Sequence, residues 1–300
     1  MIKRVLCFNN PTYLSTELEQ LVICSKQVNE RRFIPIEDIG VVVLDNSQIV
    51  ITQNVMVKLL ENNVAIITCD FSHHPIGMHL CLDGNVLQQE RFELQINASE
   101  VLKKNLWQQT VRSKIYNQAM LLNHITGKPM RNMLHWSKSV LSGDSTNYEA
   151  RAAAYYWKNL LETHANFKRE RFGKYPNNFF NYTYAILRAI TARSLVASGL
   201  LPTLGIHHSN RYNAYCLADD IMEPYRPYAD NLVIETIKKY PQIEEVTKEI
   251  KTSLLSLTVV DVKINKQVRP LQLAVLETAQ SLEDCFLGTR RKIKYPIFNV

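Results

Sequence analysis

The spacing of apolar residues changes once along this chain of 300 residues, and that change limits the fold more than any other feature. Up to about residue 85 the apolar runs are short and rich in β-branched residues, as in DIGVVVLD and NVAIITCD. Such runs are typical of buried strands. One segment between two of them, Asn54 to Asn63, has apolar residues three or four positions apart and predicts a short helix packed on a sheet.

Beyond about residue 86 the apolar residues follow a helical period, and Gly and Pro become widely separated. Ser99 precedes an apolar run and fits a helix N-cap, while TGKP at 126–129 fits a helix end. We therefore predict an α+β protein in two parts. Residues 1–85 form a small β-rich domain with one short helix, and residues 86–300 form a larger all-α domain that carries the catalytic residues.

Charge, cysteines and missing motifs narrow the function classes. A formal charge of +7 is a mild indication of a phosphate-containing or anionic partner. The six cysteines form no C-x-x-C pair, which indicates reduced, mostly buried thiols in a cytoplasmic protein. We expect neither secretion nor membrane spanning, because no long apolar run occurs. The absence of P-loop, G-x-G-x-x-G and G-x-S-x-G motifs argues against nucleotide binding and serine hydrolysis.

Three acidic residues are candidates for chemistry. Glu149 falls in the first turn of a predicted helix with Ser145 or Thr146 as its N-cap, a position that the helix dipole alone explains. Asp220 and Glu223 share one face of a helix that ends before a proline. Apolar residues surround this pair, which favours a functional role over a solvated surface.

Two adjacent histidines, His207 and His208, precede that helix. Imidazole with carboxylate oxygens, and without cysteine, suits magnesium or manganese better than zinc. The residues alone do not decide between a metal site and a charged helix. They also leave open which histidine would bind the metal.

A basic and aromatic stretch, Asn166 to Tyr184, is a candidate DNA contact. Its rings, including Phe179 and Phe180, are expected to be core residues of neighbouring helices. Its cations could follow a phosphate backbone. The residues assigned to DNA contact are Lys168, Arg169, Arg171, Lys174 and, further along, Arg226. The basic C-terminal tail, GTRRKIKYPIFNV, fits either a solvated, fraying terminus or a nucleic-acid arm.

The stretch GIHHSNRYNAYCLADDIMEPYRP resembles the family called CRISPR-associated protein one, and its type II members most. The family pattern is a glycine, two residues, a histidine, and then a helix ending in D-[LI]-M-E-P-[FY]-R-P. YEARAAAYYW and PNNFFNYTYAILRAITARSLVASGLLPTLG are similar to two further family segments. Asn178 stands where many members have aspartate, so a hydrogen bond can be retained but a charge cannot. The resemblance covers nearly the whole chain.

The resemblance implies which histidine is the ligand. His208 lies three residues after the glycine and fifteen before Glu223, as in the family pattern, and His207 is left as a packing residue. The resemblance further implies a divalent cation, magnesium or manganese, held by Glu149, His208 and Glu223. Asp220 would be an additional catalytic carboxylate beside them. A ligand imidazole must be neutral, so activity is expected to fall as the pH drops.

The implied activity is that of a metal-dependent DNA endonuclease and integrase of CRISPR spacer acquisition. It joins the 3′-hydroxyl ends of prespacer DNA to the repeat borders of a CRISPR array by transesterification. Implied partners are a second copy of the chain through the N-terminal domain, the companion subunit CRISPR-associated protein two, and the type II effector nuclease, all in a prokaryotic cytoplasm. The alternatives are a non-enzymatic DNA-binding scaffold, which EDTA would not inhibit, and a tyrosine recombinase, which would form a covalent adduct with DNA.

Overall fold

The computed structural model describes residues 3–25, 30–71, 73, 75–161, 167–170 and 173–298. In these residues a β-rich N-terminal part is followed by a mostly helical part, which confirms the predicted α+β class. The last N-terminal strand ends at His79 and the next helix begins at Gln88, close to the change in apolar spacing. All six cysteines are free thiols. No helix in the described ranges is long and apolar enough to cross a membrane.

The N-terminal part contains two sheets and one helix. Its elements are β1 (Arg4–Phe8), β2 (Thr12–Glu17), β3 (Gln20–Ser25), β4 (Arg31–Pro35), β5 (Ile39–Leu44), β6 (Val50–Ile51), α1 (Gln53–Glu61), β7 (Ala65–Cys69) and β8 (Pro75–His79). One sheet has the order β1-β5-β7-β8, with its first three strands parallel, and the other has the order β4-β3-β2-β6. The helix predicted between two strands is α1, and it buries Val55 and Leu59.

The sheet containing β5 and β7 separates two hydrophobic cores, because side chains alternate between the faces of a strand. In β5, Val42 packs in the N-terminal core, whereas Val41 and Val43 pack in the core of the helical part. In β7, Ile66 and Ile67 divide in the same way. Parallel strands are usually covered on both faces, as these are. The two parts of the chain are therefore joined through one shared sheet.

The helical part is built around two long helices, α3 and α6. Its elements are α2 (Gln88–Ile96), α3 (Glu100–Thr126), α4 (Arg131–Ser139), α5 (Tyr148–Leu160), α6 (Asn177–Ala197), α7 (Cys216–Met222), α8 (Arg226–Lys239), α9 (Lys248–Leu255), β9 (Asp261–Ile264), β10 (Gln267–Pro270) and α10 (Leu271–Phe286). The antiparallel pair of β9 and β10 is a feature that the apolar spacing did not predict.

Helix α3 begins and ends as its sequence predicts. The Ser99 hydroxyl accepts a hydrogen bond from the Leu102 N–H at 3.2 Å, which satisfies one of the free donors of the first turn. The helix stops at Gly127, whose φ of 67° lies in the left-handed region that glycine adopts without strain. These two ends fix the length of the helix that carries Trp107 and Lys114.

The C-terminal tail packs along α3, so the expectation of a solvated, fraying terminus is wrong for the residues described up to 298. The Ile293 N–H donates to the Gln109 side chain at 2.9 Å, and the Phe298 N–H donates to the Asn117 side chain at 2.9 Å. Ile293 and Phe298 are both buried. Buried apolar residues among and after the tail's cations thus hold it to the helical core.

Candidate functional site

Glu149 lies in the first turn of α5, as predicted, but neither Ser145 nor Thr146 caps the helix. The carboxylate of Asp144 does so instead, accepting hydrogen bonds from the N–H groups of Tyr148 at 3.0 Å and of Glu149 at 2.9 Å. Two free donors of the first turn are satisfied by one side chain. The backbone at Glu149 is therefore fixed by a residue five positions earlier in the chain.

Glu223 lies at the junction between α7 and α8. Helix α7 ends at Met222, and the turn Glu223–Tyr225 leads directly into α8. Glu223, the residue before Pro224, keeps helical backbone angles of φ −52° and ψ −46°, so the proline does not force the chain out of the helical region as predicted. The Glu223 side chain is buried, and its Oε1 lies 3.0 Å from the Arg226 guanidinium. The junction thus directs a charged carboxylate into the core rather than toward solvent.

Lys114, from the middle of α3, connects the two glutamates. Its Nζ donates to Glu149 Oε1 at 2.6 Å and lies 2.7 Å from Glu223 Oε2. Burial lowers the pKa of Lys114, but the charges of Glu223 and Glu149 outweigh it, so the pKa is raised. Burial raises the pKa of Glu149, but Lys114 outweighs it and the pKa is lowered. Lys114 and Glu149 are therefore both charged at neutral pH.

Asp220 orients the histidine pair from α7. It is fully buried, its Oδ1 is hydrogen-bonded to His208 Nδ1, and its Oδ2 accepts from the His207 N–H at 2.9 Å. The hydrogen bond to Asp220 raises the pKa of His208, burial opposes it, and the nearby charges of Glu223 and Glu149 add to the rise. Because Nδ1 is engaged, Nε2 is the ring atom left to bind a metal.

Gly205 allows the histidine loop to approach this carboxylate. A Cβ atom at residue 205 would lie 2.3 Å from the His208 carbonyl oxygen and 2.8 Å from Asp220 Oδ2. Backbone atoms cannot yield to such a contact without moving the loop. The glycine of the motif is therefore required by close approach.

His207 packs against Trp107 of α3 rather than joining the carboxylates. The two rings are stacked with centroids 4.2 Å apart and planes within 1° of parallel. The His208 ring meets the same tryptophan edge-on at 5.5 Å. Trp107 is buried, so it forms a fixed wall behind both histidines. This arrangement agrees with the assignment of His207 to packing and of His208 to the site.

The donor atoms of Glu149, His208 and Glu223 suit a hard divalent cation, and the contacts around Glu223 add to that fit. Its Oε2 is buried and accepts no hydrogen bond of good geometry, although the Lys114 ammonium lies close by. A buried carboxylate oxygen in this condition is stabilised by a cation. Within the described residues, however, no three acidic, histidine or cysteine side chains already surround one point as metal ligands.

Two of the five residues assigned to DNA contact are exposed, and two hold their side chains within the protein. Lys168 and Lys174 are exposed. The Arg169 guanidinium donates to the side chains of Asn177 at 3.0 Å and Asn181 at 2.7 Å, at the start of α6. Arg226 is held by the glutamate described above and by the ring of Tyr184. Arg171 lies outside the described residues.

The paired phenylalanines of the same stretch are core residues, as expected, whereas Phe172 lies outside the described residues. Phe179 and Phe180 are buried in α6, and the Arg169 guanidinium lies 5.8 Å from the centre of the Phe180 ring. Asn178 keeps a hydrogen bond that an aspartate could also make, because its Oδ1 accepts from the Phe179 N–H at 2.9 Å. Its Nδ2 also donates to the Glu244 carbonyl at 2.7 Å, a bond that an aspartate could not make. The stretch thus combines a packed helix start with a few exposed cations.

Three residues of the site were not predicted from the sequence: Asp144, Trp107 and Lys114. Lys114 did carry a signal, because it lies seven positions after Trp107 and so shares the face of α3 that buries it. A lysine on a buried helical face needs a partner of opposite charge. Sequence spacing does not reveal that the partners are Glu149 and Glu223.

Comparisons with known proteins identify the family of this chain. The family model described as CRISPR associated protein Cas1 matches residues 5–258. The chain is 37% identical over 275 residues to a CRISPR-associated endonuclease Cas1 from Neisseria meningitidis serogroup C (strain 8013), covering 89% of this chain and 86% of that relative.

Two solved structures share the fold. A casposase bound to integration product is similar with a TM-score of 0.81 and 16% identity, covering 99% of this chain and 96% of that one. A chain of a Cas6-RT-Cas1–Cas2 complex is similar with a TM-score of 0.76 and 20% identity, covering 97% of this chain and 35% of that one. The match to the family model and the identity to the Neisseria relative show that the chain belongs to the CRISPR associated protein Cas1 family.

Proposed function

We propose that this protein is a metal-dependent DNA endonuclease and integrase of CRISPR spacer acquisition. It joins the 3′-hydroxyl ends of prespacer DNA to the repeat borders of a CRISPR array by transesterification. The observation that carries the proposal is that Lys114 joins Glu149 and Glu223, which come from two separate segments, in one charge cluster, and that the charges of both glutamates act on His208.

Magnesium or manganese is the proposed cofactor. A divalent cation would lower the pKa of the attacking 3′-hydroxyl and neutralise charge on the phosphate, so no covalent protein intermediate is needed. Glu149, Glu223 and His208 Nε2 are the atoms proposed to bind it. Asp220 acts through His208, because its hydrogen bond to Nδ1 sets the direction of Nε2. We therefore treat Asp220 as a positioning residue rather than a direct ligand.

DNA and a companion subunit are the proposed partners, together with a second copy of this chain and the type II effector nuclease. Support for the first two comes from the similar structures, one of a casposase bound to integration product and one of a complex containing Cas2. On this chain, the exposed Lys168 and Lys174 are candidates for contact with the DNA backbone. Arg226 serves instead as the partner of Glu223.

The test is a strand-transfer assay with labelled prespacer DNA, a repeat-containing target, the companion subunit and Mn²⁺. Glu149→Ala, His208→Ala and Glu223→Ala should each abolish joined products, and EDTA should do the same to the unchanged protein. DNA binding by each variant should remain, measured by gel shift. Glu100→Ala, which removes an exposed glutamate at the start of α3, is the matched control and should keep full activity.

Two results would contradict the proposal. Joining that continues in EDTA would point to a scaffold whose acidic helix is structural. Activity that survives His208→Ala but not His207→Ala would show that the histidines are wrongly assigned.

A further inference from the structure

A buried ammonium lies between the two glutamates that the proposed function assigns to the metal. Lys114 Nζ is 2.6 Å from Glu149 Oε1 and 2.7 Å from Glu223 Oε2, and its side chain is only 8% exposed. Divalent cations bind carboxylate oxygens at about 2.0 to 2.6 Å. The ammonium therefore stands where an ion bound to both carboxylates would stand.

The contacts of the two glutamates show that this ammonium supplies charge to both. Toward Glu149 it makes a hydrogen bond, but Glu223 Oε2 accepts no hydrogen bond of good geometry. Glu223 Oε1 is already held by Arg226 at 3.0 Å. Two carboxylates this close, one buried and one half-buried, repel each other unless a cation lies between them. Lys114 supplies that cation without any metal.

A divalent ion and an ammonium cannot share this space easily. Like charges about 4 Å apart in a partly buried site repel strongly. The divalent ion and the ammonium would also compete for the same two carboxylate oxygens. An ion entering the site therefore has to move the lysine head group away. The flexible four-carbon stem of a lysine allows such a movement, whereas the planar fork of an arginine would not.

We propose that Lys114 is the internal counter-ion of the metal-free site, and that a divalent cation binds by displacing its ammonium from between Glu149 and Glu223. This inference rests on the proposed function, because it assumes that these carboxylates bind metal. In the metal-free protein Lys114 keeps the two ligands in place, and it sets the metal affinity below what the carboxylates alone would give. Lys114 is thus a positioning residue that competes with the metal.

The test compares Lys114→Met with a matched variant, Lys251→Met. Methionine keeps an unbranched side chain that ends one atom short of the ammonium, and it removes the charge. Lys251 is also buried and paired with a buried carboxylate, that of Asp45, away from the site. Each protein is melted in EDTA and in Mn²⁺, and Mn²⁺ affinity is measured by the electron paramagnetic resonance signal of the free ion.

Both variants should melt below the unchanged protein in EDTA, because each removes a buried cation from carboxylates that it pairs with. Only Lys114→Met should then bind Mn²⁺ more tightly than the unchanged protein, by about tenfold or more. Its melting temperature should also rise further on addition of Mn²⁺ than that of Lys251→Met. Glu149→Gln added to Lys114→Met should remove the tight binding. If Lys114→Met does not fold, Lys114→Gln is expected to show the same gain in affinity.

Different results would contradict the Lys114 inference and the proposed metal site. If the unchanged protein binds Mn²⁺ through Glu149 but neither uncharged Lys114 variant binds it more tightly, the counter-ion inference is wrong and the proposed function stands. If neither the unchanged protein nor any Lys114 variant shows Mn²⁺ binding that depends on Glu149, both the inference and the proposed metal site are wrong.

Discussion

Asp230, a buried residue of α8, should make this protein less stable as the pH rises from acid to neutral. Burial raises the pKa of its carboxyl from 3.8 to about 6, although hydrogen bonds donated by Tyr184 at 2.6 Å and Tyr156 at 2.7 Å oppose the rise. Because the pKa is higher in the folded state, the folded protein binds the proton more tightly than the unfolded chain does. The stabilising contribution is complete below about pH 4 and is lost as the pH rises through about 6.

The size of the effect follows from the displacement of the pKa. Each pKa unit is worth 1.36 kcal/mol, so a rise from 3.8 to about 6 corresponds to about 3 kcal/mol. Asp230→Asn mimics the protonated carboxyl and cannot ionise. Relative to this variant, the free energy of unfolding of the unchanged protein should fall by about 3 kcal/mol between pH 4 and pH 8.

The measurement is urea unfolding of both proteins, followed by tryptophan fluorescence at several pH values in that range. Taking the difference between the two proteins at each pH removes the contribution of other titrating groups. Tyr156→Phe is a second probe, because losing one donor should move the midpoint of the difference to higher pH. A difference that stays flat from pH 4 to pH 8 would show that the folded-state pKa of Asp230 is not raised.

Three further predictions follow from single contacts. Asp144→Ala removes the cap of α5 and should lower the free energy of unfolding by about 1 to 2 kcal/mol in urea titrations, and it should slow strand joining because Glu149 is no longer anchored. Gly205→Ala should displace the His208 loop and abolish Mn²⁺ binding while the far-ultraviolet circular dichroism persists. Arg169→Ala should lower the melting temperature, because it removes two side-chain contacts at the start of α6. Replacing Lys168 and Lys174 together by alanine should leave the melting temperature unchanged. It should reduce the slope of log affinity for DNA against log salt concentration by about two units.

Local features of the fold could be predicted because they depend on neighbouring residues. The strands of the N-terminal part and the ends of α3 follow from apolar spacing, from the Ser99 cap or from the backbone freedom of glycine. The hairpin of β9 and β10 was not predicted, because its strands are four residues each, too short for a clear alternating pattern. The packing of the tail was not predicted, because its clustered cations are typical of a solvated segment. Its buried residues Ile293 and Phe298 anchor it instead.

The candidate site could be predicted only in part, for a related reason. Residue types and the family pattern pointed to Glu149, His208 and Glu223, but the contacts that hold them come from distant parts of the chain. Lys114 is 35 residues from Glu149 in sequence. The spacing along α3 places Lys114 on a buried face, but it does not identify the two carboxylates that pair with it. Such a contact emerges only when α3, α5 and α7 pack together.

The sheet of β1, β5, β7 and β8 has a consequence for how this protein can be divided. Adjacent residues of β5 belong to different hydrophobic cores. Cutting the chain near residue 85 would therefore separate the N-terminal part and also remove the sheet face that packs against the helical part. A fragment starting at residue 86 would expose the apolar surface that Val41, Val43 and Ile67 now cover. We therefore expect the chain to unfold as one cooperative unit, and such a fragment to aggregate rather than form an independent catalytic module.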